Sequence, residues 1–431
     1  MRIIIYNRLI PAAMYTRKAL HLIPPLFLLM ALFSFSQPAA PGKTEKPEPM
    51  QSTEAEKREN TAFALDLYHT IGKSTKGNIF FSPYSISSAL SMTLSGAAGT
   101  TARQMGDMLY APEDLQRYHH TRASREAEIS SIAKKGSVTL ETANGLFPQK
   151  GYELSKTFVQ ELLTVYRSTL TPVDYRADTE KARKTINRWA EQRTRNTIRE
   201  LIQPGILNTL SRLTLVNAIY FKGNWKKAFA ESETTAADFY TDKSSTSTVS
   251  MMHQENTFPY TLSDSLQILE LPYSGEDISM LVLLPEKNKG LAGLEADLTA
   301  EKLSLWTDSL KPQKVRVFLP KFTMSSTLRL DDSLKKLGMT DAFDPGRADF
   351  SPMTVNKDKL FIGAVVHKAF VDINETGTEA SAATGVVVGL TSAVQAPTPV
   401  FRADHPFLVL IRSNRSGSIL FMGRVSEPDN D

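Results

Sequence analysis

A chain of 431 residues with 41% hydrophobic and 22% charged side chains has ordinary soluble globular composition. Its formal charge of +4 resides in the first 37 residues, which carry Arg2, Arg8, Arg17 and Lys18 and no acid, so the remainder holds 46 basic and 46 acidic groups. A neutral body gives no electrostatic case for binding nucleic acid or an anionic membrane, and the lack of Cys excludes disulfides, thiolate nucleophiles and Cys-bearing zinc sites.

The leader has the build of an export signal. Basic residues precede an uncharged apolar run, Leu22–Phe35, and Ser34 and Ser36 suit the small-residue positions of a cleavage site. Residues 1–36 are therefore expected to be a signal peptide and the protein to be secreted or periplasmic. The alternative is a retained membrane anchor, but the run is shorter than the roughly 20 residues a spanning helix needs. Residues 37–57, rich in Pro, Lys and Glu, are expected to be a flexible linker, and 58–431 one folded domain.

That domain opens with Phe63, Leu65, Leu67 and Tyr68, which suit a helix. A second helix is expected from Ser85 to about Leu94, small and apolar all round and therefore buried. Residues 178–203 read as an amphipathic helix carrying Ile186, Trp189 and Ala190 on one face. Strands are expected at Leu213–Phe221, Ser279–Leu284, Val315–Leu319 and Lys359–Asp372, with a closing hairpin of Phe407–Ile411 and Ser418–Val425. Helices and strands mix without strict alternation, so the fold class is α+β.

No assembled catalytic group is legible. Ser333 and Lys336 form an S-x-x-K that is more simply an exposed helix face. The adjacent His119 and His120 diverge on any regular element and make a poor metal site, and His367 lies among apolar residues as a buried histidine would. No metal or cofactor is expected.

The unusual stretch is Gly377–Thr398. It is longer than an ordinary connection, and Glu379 is its sole charge. Read with period two, one face carries Thr378, Ala380, Ala382, Thr384, Val386 and Val388, all uncharged, so the segment is able to become an internal strand without burying an ion. A flexible low-complexity linker is the competing reading of the same composition.

NETGTEASAAT (374–384) closely resembles the proximal hinge of inhibitory serpins. The resemblance runs from about Asn60 to Pro428 through NIFFSPYSISSALSMTLSGAAGTT (78–101), LTLVNAIYFKGNW (213–225), LELPYSG (269–275), LPKFTMSSTLRLDDSLKKLGMTDAF (319–343), and ADHPFLVLIR with ILFMGRV (403–425). It implies three β-sheets, about nine helices and an exposed reactive loop. It also implies a monomeric inhibitor, not an enzyme, whose partner is a protease held as a covalent acyl-enzyme while the cleaved loop inserts into the central sheet.

Residue by residue, the resemblance makes Glu375, Gly377, Thr378, Glu379, Ala380, Ser381, Ala382 and Ala383 the hinge. It puts the reactive bond at Thr391–Ser392, with Leu390 and Val388 as rivals. Ser82, Ser85, Asn217 and His367 match a polar cluster beneath the sheet opening, and Trp225 matches an aromatic at the end where insertion starts. Asn196 stands where the family often has Gly. No Lys or Arg lies between Ala369 and Phe401, so elastase-, subtilisin- or chymotrypsin-like targets are expected. A non-inhibitory binding module and an inhibitor of papain-like cysteine proteases are the alternatives.

Overall fold

The computed structural model describes residues 54–241, 245–378 and 397–428. The leader, residues 37–53 of the expected linker, and the loop from Glu379 lie outside them. The first element is the helix Glu54–Gly72, which begins inside the stretch read from sequence as linker and buries Phe63, Leu67 and Tyr68. Helix α1 (Pro83–Leu94) follows, and all twelve of its residues are buried. Ser82 caps it: its Oγ accepts the Ser85 N–H at 3.1 Å, while Pro83 occupies a first-turn position that needs no donor.

Among the described residues the central sheet contains six strands. Five of them are β1 (Val138–Pro148), β2 (Leu213–Asn224), β3 (Phe322–Arg329), β4 (Ile362–Ile373) and β5 (Gly377–Thr378). Across the sheet they run β3–β4–β2–β1, then the two-residue edge strand Thr169–Leu170, while β5 lies against the end of β2. β1 pairs antiparallel with β2 over eleven positions, from Val138 opposite Gly223 to Pro148 opposite Leu213. The middle pair is parallel, Ile362–Phe370 against Leu213–Tyr220. A parallel strand in the middle of a sheet is covered on both faces, which accounts for the nearly unbroken apolar run in β2.

The alternation along β2 and β4 sorts their side chains into three apolar regions. Val216, Ala218, Ala364 and Val366 face the helix Thr179–Arg193, where they meet Ala182, Ile186 and Ala190. On the opposite face, Leu213, Leu215 and Val365 join one core cluster. Farther along that face Ile219, Phe221, Ala369 and Val371 join another. Asn217 and His367 fall between those two clusters on the same face.

Among the described residues the second network has nine strands, in the order Ile79–Phe81, Ile419–Val425, Phe407–Ser413, Ile278–Pro285, Leu266–Pro272, Thr246–Ser263, Lys311–Pro320 and Val400–Arg402, with Thr235–Tyr240 also on Thr246–Ser263. The three sheets implied by the resemblance are thus linked in part. The eighteen-residue strand Thr246–Ser263 runs unbroken from its pairing with Thr235–Tyr240 to its pairing with Leu266–Leu269, joining two of them through backbone hydrogen bonds. At the other end of this network, Ile79–Phe81 pairs with Met422–Arg424, and Phe80 stacks on Phe421 with ring centroids 5.3 Å apart.

Nine α-helices are present among the described residues. The helix expected over 178–203 stops at Arg193. Arg195 (φ 49°) and Asn196 (φ 63°) then take left-handed conformations that end it, and Thr194 Oγ1 donates to the Ala190 carbonyl while accepting from the Ile198 N–H. Asn tolerates this backbone without needing Gly. Ile219 has no solvent exposure and packs where β2 meets the second core cluster. Ile219→Ala is expected to lower stability in the first urea unfolding transition by about 2–5 kcal/mol, as cavity-forming substitutions do.

Candidate functional site

Two polar assemblies interrupt the apolar packing of the central sheet. The first lies halfway along β2 and β4, where Asn217 and His367 are directly opposite in the parallel register. His367 is fully buried, and its Nδ1 is hydrogen-bonded to Asn217 Oδ1. Its Nε2 accepts the Ser82 backbone N–H at 3.0 Å, which fixes the tautomer with the proton on Nδ1. Asn217 Nδ2 donates to the Ser85 carbonyl at 2.9 Å and is also bonded to Ser85 Oγ and to Asn144 Oδ1 on β1. Ser82 Oγ donates to the Leu420 carbonyl. Five elements therefore meet at one seam: the start of α1, the strands β1, β2 and β4, and the strand Ile419–Val425.

Desolvation dominates the electrostatics of this seam. With no carboxylate to favour the imidazolium, burial pushes His367 down from the ordinary 6.5 to about 3. The histidine therefore stays neutral at physiological pH and works as a fixed donor and acceptor.

The second assembly sits where the chain leaves β4. Asn374 and Gly377 close a tight reversal with hydrogen bonds in both directions, 2.8 and 3.2 Å, and Gly377–Thr378 then runs back antiparallel beside Gly223–Asn224. Gly377 has φ +144°, and a Cβ there would lie 2.1 Å from the Gly223 carbonyl oxygen, so only Gly fits. Thr378 is 1% exposed, and its hydroxyl shares a 3.1 Å hydrogen bond with the Tyr273 hydroxyl. Tyr273 stacks on Trp225 at 4.5 Å, and Trp225 Nε1 donates to the Asn374 carbonyl at 3.0 Å. The Trp225 and Phe229 N–H groups donate to the Thr376 and Glu375 carbonyls.

Glu375 anchors this turn. Burial raises its carboxyl, but Lys321 at 3.0 Å and the Thr234 hydroxyl at 2.8 Å outweigh that and hold it below the usual carboxylate range.

Of the residues picked out in the sequence, Ser82, Ser85, Asn217 and His367 come together in the first assembly, and Trp225, Glu375, Gly377 and Thr378 in the second. Glu379, Ala380, Ser381, Ala382, Ala383, Val388, Leu390, Thr391 and Ser392 lie outside the described residues. Sequence reasoning missed Asn144, Thr234, Tyr273 and Lys321. Tyr273 lies within the motif LELPYSG and Lys321 within LPKFTMSS, but neither residue type at those places points to a role before the chain is folded. Ser333 and Lys336 fall on the short helix Asp331–Lys336. His119 is buried and hydrogen-bonded to the Tyr166 hydroxyl.

A neutral His in the folded state and a protonatable one in the unfolded state set a definite sign. Below the unfolded pKa of 6.5 the unfolded chain takes up a proton that folded His367 refuses, so stability falls as pH drops toward about 3. Between pH 4 and 6 each such group contributes a slope of about 1.4 kcal/mol per pH unit. His367→Gln, neutral throughout, is expected to remove that much of the slope in denaturation curves measured at several pH values. His119, pushed down by burial to about 4, supplies a second decline over part of the same range.

A family model described as Serpin (serine protease inhibitor) matches residues 58–428. The chain is 41% identical over 379 residues to leukocyte elastase inhibitor A of Rattus norvegicus and 42% identical over 379 to leukocyte elastase inhibitor of Homo sapiens, in each case covering 86% of this chain and 98% of the relative. Among solved structures, Serpin48 of the insect Tenebrio molitor superposes with a TM-score of 0.78 at 31% identity, covering 90% of this chain and all of that one.

These relatives overturn the expectation of a secreted or periplasmic protein. The elastase inhibitors are intracellular serpins without a signal peptide, and a match that takes up 98% of their length leaves no counterpart in them for a leader such as residues 1–36. The basic and apolar pattern of that leader is a compositional feature that a signal peptide shares with other segments. The domain itself is assigned without ambiguity: the chain belongs to the serpins, a family of serine protease inhibitors.

Proposed function

We propose that the protein is a single-use inhibitor whose loop is attacked as substrate and then captured as a strand of the central sheet. In this reading the target's nucleophile adds to the Thr391 carbonyl and expels the Ser392 amine. The severed loop enters between β2 and β4 before the acyl-enzyme is hydrolysed, and the attached protease is carried along and distorted.

The observation that carries this reading is the pairing of Gly377–Thr378 with Gly223–Asn224, with the Thr378 side chain buried. It is the first step of a strand in the right place and direction. Extending that register sets Thr384 opposite Asn217 and Val388 opposite Leu213, so the twelve residues of β2 match 377–388. Thr378 also fixes the phase. The face of Thr378, Ala380, Ala382, Thr384, Val386 and Val388 goes inward, and Glu379, the only charge of the loop, goes outward.

Entry of the strand separates His367 from Asn217, and the backbone of the incoming strand replaces the ladder hydrogen bonds lost between β2 and β4. The reading further takes the protein as a monomer, with elastase-, subtilisin- or chymotrypsin-like targets. The lack of a basic residue in the loop supports that choice, and so does the name of the elastase inhibitors it resembles.

Incubation with elastase, subtilisin and chymotrypsin is expected to give, with at least one of them, a protease adduct that survives denaturing electrophoresis. Mass spectrometry should find a released C-terminal peptide beginning at Ser392. Cleaved protein without adduct across the panel favours the non-inhibitory alternative and defeats the proposal. Thr378→Arg brings a long cation into the slot beside Tyr273. It is expected to leave the rate of cleavage within about twofold while raising the number of inhibitor molecules consumed per protease at least tenfold, since burying an unpaired charge opposes the first step of insertion. An unchanged stoichiometry rejects entry through this slot.

A further inference from the structure

The helices Gly290–Asp297 and Ala300–Asp308 follow one another through a corner of two residues, Leu298 and Thr299. Thr299 Oγ1 accepts the Lys302 N–H at 3.2 Å and caps the second helix. Between these helices and the turn at residues 263–266, which joins two strands of the second network, lies a cavity of about 270 Å³. It has no part in the mechanism above.

Leu266, Leu294, Leu305 and Trp306 supply the apolar wall of this cavity. Leu303, on the other side of the same helix, belongs to the core, whereas Leu305 is 68% exposed. One exposed leucine by itself needs no explanation. Beside a half-buried indole and the buried Leu294, in a concave place with charged groups at hand, it forms the kind of surface that small ligands occupy.

The charged groups are arranged as a row. Lys289 Nζ and Lys302 Nζ each stand 2.6 Å from Asp297, one on each carboxylate oxygen. Their hydrogen bonds hold the Asp297 carboxyl down at about 2, so it stays ionised. One carboxylate neutralises only one of the two ammonium groups, and each ammonium keeps N–H donors to spare. The Trp306 indole N–H is a further donor without a hydrogen-bond partner among the described residues. Asp264, the other acid of the lining, is exposed on the turn and bonds to neither lysine.

Gly293 accounts for the position of Lys289. A Cβ on Gly293 would lie 2.6 Å from Lys289 Cγ. The bare backbone there lets the lysine stem lie along the helix and reach Asp297, two turns farther on. Both lysines are thus held in place before any ligand arrives, which lowers the entropic cost of binding one.

We propose that this cavity binds a small apolar monocarboxylate, aryl or alkyl, whose carboxylate is taken by Lys289 and Lys302 and whose ring or chain lies against Leu305 and Trp306. The bound carboxylate adds the missing fourth charge to the row of two ammonium groups and one acid. An amine of the same shape would face two ammonium groups instead. Ligand cavities commonly measure roughly 300–1,000 Å³, so this one suits a small molecule and not a folded partner. The site stands on its own geometry and does not depend on how the protein meets a protease.

Calorimetric titration of the full chain with 3-phenylpropionate, octanoate and 3-phenylpropylamine, at ionic strength matched with chloride, tests the site. One-to-one saturable binding of at least one acid is expected, and the tighter of the two tells an aryl from an alkyl ligand. The amine is expected to bind at least about tenfold more weakly. Lys289→Gln combined with Lys302→Gln should lower the affinity for the acid at least about tenfold. Lys336→Gln, exposed on the helix Asp331–Lys336, should leave it unchanged. Gly293→Ala displaces the Lys289 stem, yet Ala suits a helix interior better than Gly. It is therefore expected to weaken binding severalfold without lowering the urea midpoint, and it decides the matter if the double variant does not fold. Absence of saturable binding by both acids, an amine that binds as tightly as the acids, or an equal loss in Lys336→Gln overturns the site.

Discussion

The fold depends on one buried hydrogen bond, from the His367 ring to the Asn217 amide, across the two middle strands of the central sheet. Above and below it the contacts between β2, β4 and the cores are apolar and nearly indifferent to direction. At the seam Ser82, Ser85, Asn144, Asn217 and His367 are each bonded to a partner on a different element, and leaving one such group unpaired in the interior costs about 1–3 kcal/mol. The sheet is therefore latched at a single level. The latch consists of neutral groups, since burial keeps the imidazole uncharged, and neutral hydrogen bonds are exchangeable where a buried ion pair is costly to break. The Ser82 cap ties the same latch to the start of α1, so the helix beneath the sheet and the strands above it are positioned by one small set of atoms.

The upper end of the sheet follows a different logic. There the chain reverses at Asn374–Gly377 and is held by backbone carbonyls accepting from Trp225 and Phe229, by an aromatic stack, and by the Glu375–Lys321 ion pair. Among the described residues beyond this reversal, Gly377 and Thr378 enter the sheet. The fixed turn sets where the following residues start and which way they face, and the glycine alone permits the close approach to Gly223. What the protein needs from this region is a defined beginning, and the cluster around Trp225 supplies it.

Much of this was legible in the sequence for identifiable reasons. The long strands announce themselves through β-branched and apolar runs, as in Leu213–Phe221, and α1 through small apolar residues on all sides. The seam residues were legible as positions in a family motif, but their convergence was not, because Ser82 and His367 are 285 residues apart and pairing across such a distance leaves no periodic trace. Asn144 was missed because β1 is only half buried and its alternation is blurred by Glu141 and Thr142. The helix Leu115–Lys134 likewise leaves no legible pattern in the sequence. It docks through Tyr118, His119, Arg122 and Arg125 as well as Ile129 and Ile132, so its inner face is largely polar and carries no apolar stripe. The pattern over 178–203 overstates that helix because its polar continuation gives no stop signal except Asn196, whose left-handed backbone appears only in the folded chain.

The pairing of Ile79–Phe81 with Met422–Arg424 carries a consequence for biosynthesis. The sheet that supports α1 and the seam includes a strand from the first part of the serpin domain and another from its last part, and Leu420, which receives the Ser82 hydroxyl, belongs to the latter. Until Phe407–Ser413 and Ile419–Val425 have been made and have left the ribosome, this sheet lacks two adjacent strands and the seam lacks an acceptor. The earlier part of the domain must therefore wait, with much of its apolar surface uncovered, until those strands are free to form contacts with remote parts of the chain. Folding of this domain is for that reason completed only once its last strands are available, and its yield depends on how well the exposed intermediate is kept from associating with its neighbours.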